Sequence, residues 1–186
     1  ILSTGKINNA PGPNSYLSDD GGGMGWNGDS DLNDALGLSN TFNATVLEFD
    51  FIPLGNRISF DYIFSSEQYL SNPSANQCNF TDGFAFLLKE ASATSYDNLA
   101  VIPGTNTPVK VNTVRGPGTI CPPANAAYLD AFNGTIHPTN FNGQTIVLTA
   151  QSDVIPGQTY HIKLVIADEG NYRYDSAIFL KGGSFN

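Results

Sequence analysis

The stretch Val46-Leu47-Glu48-Phe49-Asp50-Phe51-Ile52 decides the fold. Leu47, Phe49 and Phe51 fall on one side of an extended chain and Glu48 and Asp50 on the other, the period of two that a half-buried strand requires. Shortly afterwards Arg57-Ile58-Ser59-Phe60-Asp61-Tyr62-Ile63-Phe64 repeats the alternation, with Ile58, Phe60, Tyr62 and Phe64 inward. Between the two, Pro53-Leu54-Gly55-Asn56 reads as the turn of a β-hairpin.

Working outward, the pattern predicts further strands over residues 83–89, 98–102, 108–114, 144–150, 158–167 and 176–182. Pro103-Gly104, Pro117-Gly118, Asn142-Gly143 and Pro156-Gly157 punctuate them. One short helix is predicted over residues 31–38, capped by Asp29 or Ser30 and closed by Gly37. Many short strands with no helices between them imply an all-β domain, a two-sheet antiparallel β-sandwich of jelly-roll type, over the whole of residues 1–186. Residues 6–40 and 65–82 lack regular patterning, and loops of that length in a compact domain are functional or held by something.

Composition narrows the function. The 186 residues are 40% hydrophobic and 11% aromatic but only 13% charged, well below the roughly 25% of ordinary domains. Eight basic against 17 acidic residues leave a net charge of -9. Such a chain repels a phosphate backbone, so nucleic acid is not an expected partner. No apolar run approaches the ~20 residues of a membrane span, so direct membrane insertion is not expected either. Cys78 and Cys121 lie in Asn- and Pro-rich surroundings; paired, they imply an oxidising compartment, whereas unpaired they would be exposed thiols. The triplets at Asn43, Asn79 and Asn133 fit a glycan acceptor pattern that an Asn- and Thr-rich sequence also produces by chance.

Four acidic residues at the ends of predicted strands carry the chemistry: Glu67, Asp82, Asp168 and Asp175. Gathered at one end of a sandwich, they would need a cation, and calcium accepts six to eight such oxygens. Read separately, they are solvated turn residues. Asp29 and Asp31, after the Asp19-Asp20-Gly21-Gly22-Gly23 run, resemble the start of a calcium loop, but the later Gly and Glu of an EF-hand are missing, and a helix cap explains them equally. Trp26 and Met24 are expected to fold back onto the core. Catalysis finds little support: His137 precedes a proline, His161 alternates within a strand, and no zinc, nucleophile-elbow or phosphate-loop pattern is present. A carboxylate pair drawn from Glu67, Asp82 and Asp168 leaves a glycoside hydrolase as the enzymatic alternative.

Motifs through the chain resemble the choice-of-anchor L domain. They run from Ile1-Leu2-Ser3-Thr4-Gly5 and Gly12-Pro13-Asn14 through Gly28-Asp29-Ser30-Asp31-Leu32, Val46 to Phe51 and Phe60 to Glu67, to Ile102-Pro103-Gly104-Thr105, Tyr160 to Leu164 and Asp175-Ser176-Ala177. Two positions depart from the usual pattern: Gln68 stands where a second Glu is common, and Asn171 where Asp is common. The family usually begins before this ILSTG strand, which suggests a processed chain or a strand supplied by a neighbouring subunit. The resemblance implies a secreted or cell-surface module of bacterial adhesin-like proteins, with no enzymatic activity and an unassigned ligand. The expected function is therefore a calcium-stabilised extracellular adhesion module that contacts a glycan or protein ligand through its end loops. The rival is a filament subunit or spacer repeat joined to neighbouring subunits by strand donation.

Overall fold

In the computed structural model, which describes residues 1–20 and 25–186, two antiparallel sheets pack face to face. Their strands are β1 (Leu2–Ser3), β2 (Thr41–Phe51), β3 (Arg57–Ser66), β4 (Gly83–Glu90), β5 (Asp97–Asn98), β6 (Leu129–Phe132), β7 (Gly143–Thr145), β8 (Leu148–Asp153), β9 (Tyr160–Glu169) and β10 (Ser176–Leu180). The first sheet runs β1-β10-β3-β7-β6, with β8 also pairing with β3; the second runs β2-β9-β4-β5. The all-β sandwich expected from the alternation is what forms. Gly21, Gly22, Gly23 and Met24 lie outside the described residues.

The inward rows of the two sheets meet as aromatic contacts. Phe60, Tyr62 and Phe64 of β3 face Phe84 and Phe86 of β4, with ring centroids 4.9 Å apart for Phe60–Phe86, Tyr62–Phe86 and Phe64–Phe84. Such pairs add about 0.5–1.5 kcal/mol each beyond the area they bury. Ile162, Leu164 and Ile166 of β9 complete the core. The outer face of β4 and β9 is apolar as well, because helix α1 (Ser30–Leu36) lays Leu32 and Leu36 over Ala85, Leu87, Val165 and Ala167. A strand covered on both faces loses its polar row, which is why residues 83–88 read as continuously apolar. Helix α1 begins and ends as its sequence dictates: the Asp29 side chain accepts from the Leu32 amide at 2.9 Å, and Gly37 takes the left-handed conformation at φ 65°.

Several local expectations are corrected. β2 and β3 do not form a hairpin: β2 pairs with β9, whereas β3 pairs with β10, β7 and β8. The connection through Pro53–Asn56 instead steps across the ~10 Å between sheets, which a longer, proline-started loop can do. The strand expected over 98–102 shrinks to Asp97–Asn98, because the Asn98 side chain itself accepts from the Phe86 and Ala100 amides. Residues 108–114 form a turn, with isolated bridges at Pro108 and Lys110; the Thr113 hydroxyl binds back to the Pro108 carbonyl at 2.6 Å. Val109, Val111 and Val114 are buried there without a ladder. Residues 144–150 divide into β7 and β8, which pair with different parts of β3. Trp26 is 46% exposed rather than returned to the core, and its indole donates to the Ala44 carbonyl.

Candidate functional site

Sheet register brings four strand ends to one end of the sandwich. Gly83 pairs with Ala167 and Ser66 with Ser176, so Asp82 adjoins Asp168 while Glu67 adjoins Asp175. All four carboxylates are buried, each at no more than 1% exposure. Register divides them into two neighbouring pairs, and the charge of Asp175 acts on Glu67, Asp82 and Asp168 alike.

The first pair closes the interior. Along β4 and β9, the even-numbered residues Phe84, Phe86, Ile162, Leu164 and Ile166 belong to the inter-sheet core, while the odd-numbered ones pack under α1. Continuing that alternation by one step places Asp82 and Asp168 inward, where the core changes from aromatic to polar. Asp82 accepts from the Glu169 amide at 3.2 Å and from the Ser176 hydroxyl at 2.8 Å. Asp168 accepts from the Asn43 side-chain amide at 3.0 Å. Burial holds the Asp82 carboxyl well above the usual carboxylate range. The same holds for Asp168, with the charge of Asp82 adding to the effect of burial.

The second pair pins long loops. Glu67 accepts from the Ser18 amide at 2.7 Å and from the Asn142 amide at 3.2 Å, one on each oxygen. Asp175 Oδ2 accepts from the Ser18 hydroxyl at 2.6 Å and the Asp20 amide at 3.0 Å. The irregular segments expected to be held by something are thus held by carboxylates. Burial pushes the Glu67 carboxyl up to about 7 despite its two amide donors, and burial also raises that of Asp175.

Two oxygens in this layer, Asp168 Oδ1 and Asp175 Oδ1, have no hydrogen-bond partner among the described residues. Nor does any Lys, Arg or His among the described residues form an ion pair with the four acids. Arg173, the nearest cation in sequence, binds Asp19 at 2.8 Å instead. Backbone strain gathers here too. Tyr174 lies at φ 66° and Asn43 at φ 55°, each a cost of about 1–3 kcal/mol that the surroundings must impose. As the side chains are placed, no three Asp, Glu, His or Cys residues among the described ones close into a metal cage.

Asp29 and Asp31 lie elsewhere. Both bind the amine of Lys163, at 2.6 and 2.7 Å, and Asp29 also caps α1. Cys78 and Cys121 form a disulfide. Asn43, one of the triplet asparagines, is fully buried and hydrogen-bonded, which removes it as a glycan acceptor. His161 sits 2.7 Å from Asp50 on an outer face. Glu67, Asp82 and Asp168 are buried, so as placed none of the three carboxylates of the expected hydrolase pair faces the surface. Sequence reasoning missed Ser18, Asn43, Asn142 and Ser176, the donors to these acids. Their only advance signal was the unexplained length of the loop over residues 6–40 that carries Ser18, while Asn142 read as part of an Asn-Gly turn.

The choice-of-anchor L domain model matches the chain over residues 1–186. Comparisons with curated proteins and with solved structures give no match.

Proposed function

The chain belongs to the choice-of-anchor L domain family, and on that premise we propose that it is a non-catalytic contact module of a bacterial surface protein, ordered by a calcium ion at its carboxylate end. Such domains occur in surface-anchored proteins and their family is not one of enzymes. Among the described residues no helix is long and apolar enough to cross a membrane. The disulfide accords with an oxidising, extracellular setting.

One observation carries the calcium reading: four carboxylates are buried without an ion-pairing side chain among the described residues, and two of their oxygens lack a partner among those residues. Such a layer needs either protons or a cation. A hard cation is the solution that keeps the acids ionised, because coordination favours the charged carboxylates that burial disfavours. The ion would draw on the free oxygens of Asp168 and Asp175, with Asp82 beside them, while Glu67 keeps its two amide donors. Since those side chains do not form a closed cage, uptake is accompanied by local side-chain movement. The glycan or peptide ligand then meets the end loops that this layer holds in place.

Calorimetric titration of calcium into chelator-treated protein tests the reading, with the melting temperature followed in parallel. Expected are saturable binding, release of protons on binding and a higher melting temperature. Neither heat nor thermal shift up to millimolar calcium would remove the ion from the account and leave protonation as the means of neutralisation.

A further inference from the structure

β2 is an edge strand whose second half has no second strand beside it among the described residues. At its start, the amides of Asn43 and Ala44 donate to the Trp26 and Asn27 carbonyls. Beyond Thr45 the only ladder is the one with β9, so alternate backbone groups of residues 46–51 face outward unpaired among the described residues. The inward row here is also open: Leu47 is 46% and Phe49 39% exposed. Phe185 reaches across from the other sheet, its ring 6.3 Å from Phe49, 6.0 Å from Phe51 and 5.6 Å from Phe60, and is itself exposed. On that flank the edge of the facing sheet is the stretch after β10, where Asn186 pairs with Ser59 of β3 and the Lys181 amide donates to the Asp61 carbonyl. β1, only two residues long, covers Ala177 and Ile178 of β10 nearer the carboxylate end. The result is an apolar slot between two sheet edges, one of which offers a free ladder.

A free ladder is matched by another extended backbone. The charges on its outer row select which one. Glu48 and Asp50 flank the slot with side chains 53% and 63% exposed, sharing only His161 between them. If two copies of this chain paired through β2 about Phe49, Glu48 of each would stand opposite Asp50 of the other, and directly opposed like charges are destabilising. The net charge of -9 opposes self-association further.

We propose that residues 46–51 of β2 accept an extended segment of a different polypeptide, whose apolar residues enter the slot beside Phe49, Phe51 and Phe185 and whose alternate residues are Lys or Arg facing Glu48 and Asp50. This inference stands apart from the calcium reading, since none of its residues touches the carboxylate layer.

The test uses the whole domain and two blocked nine-residue peptides, one alternating valine with lysine and one alternating valine with glutamate. Backbone amide shifts are followed by NMR. The lysine peptide is expected to perturb residues 46–52 and Phe185, and to bind roughly tenfold tighter than the glutamate peptide, the size two cross-strand charge pairs supply. The double variant Glu48→Lys, Asp50→Lys, at exposed positions, should reverse the preference. In the unaltered protein, raising salt from about 0.05 to 0.5 M should weaken the lysine peptide selectively. Absence of binding by either peptide, equal binding of both, or concentration-dependent pairing of the domain with itself through β2 would each overturn the proposal.

Discussion

Asp82 and Asp168 occupy adjoining ends of β4 and β9, both inward and both buried, and the charge of one raises the affinity of the other for a proton. Two such groups cannot both ionise cheaply. Free of metal, these acids therefore bind more protons in the folded protein than in the unfolded chain at pH between their ordinary values of 3.8 and 4.5 and their raised values in the fold. The contribution of these acids to stability is then fullest in acid and falls as pH rises, through about 7 for Glu67 and onward through the Asp82–Asp168 pair. In chelator, the melting temperature is expected to be lower at pH 8 than at pH 5 by about 5 °C or more. A flat or rising profile would show that the four acids are ionised without cost.

Two near-isosteric substitutions in this layer are expected to act in opposite directions. Asp168→Asn removes a group whose ionisation beside Asp82 burial opposes, and so should raise the melting temperature in chelator at alkaline pH while abolishing any response to calcium. Glu67→Gln places an amide NH2 against the Ser18 or Asn142 amide, donor against donor, where each carboxylate oxygen now accepts. One buried donor is left unsatisfied, a loss of about 1–3 kcal/mol. Hydrogen exchange at the Ser18 and Asn142 amides should accelerate in that variant alone. If both variants shift stability the same way, the assignment of Asp168 to the cation and of Glu67 to loop pinning is wrong.

The strands were legible because alternation is a local property: residues 46–51 and 57–64 each announce their period without reference to any other segment. Which strand lies beside which was not legible. The apparent hairpin at Pro53–Asn56 failed because sheet membership depends on long-range pairing with β9 and β10, over a hundred residues away. Likewise Glu67, Asp82, Asp168 and Asp175 could be named from their places at strand ends, but their division into an inward and a loop-facing pair follows from register. Asp29 and Asp31 looked like ligands because of their spacing, and only the fold reveals Lys163 between them. The donors Ser18 and Asn43 carry no local signature, since a hydroxyl or an amide in a loop acquires meaning only from what it meets.

The disulfide offers an independent measure of how the loops are held. Cys78 and Cys121 are 43 residues apart, and a closed loop of that length contributes about 4 kcal/mol in the chain-entropy account. Arg115 adds a hydrogen bond to the Cys78 carbonyl at 3.1 Å, tying the same loops without the bridge. Reduction is therefore expected to lower the melting temperature by about 8–16 °C while leaving calcium binding intact, because neither cysteine adjoins the carboxylates. Loss of calcium binding on reduction would mean that the bridge, and not the register of β4, β9 and β10, sets the position of the acids.

Gly5 gives the sharpest steric test of the layer. A Cβ added there would collide with the carboxylate of Asp175, whose Oδ2 is fixed by Ser18 and Asp20. The side chain cannot swing away without breaking both bonds, and the backbone before it is held at the left-handed φ of Tyr174. Gly5→Ala should therefore cost about 1–3 kcal/mol, as overpacking does, and should release the segment around Ser18 to proteolysis. Gly134→Ala is the matched control: nothing stands near its added methyl and its φ is not left-handed, so the change should be neutral or slightly stabilising through the unfolded chain. Equal melting temperatures for the two variants would mean that Asp175 has room to move, and the account of it as a fixed anchor for the first loop would fail.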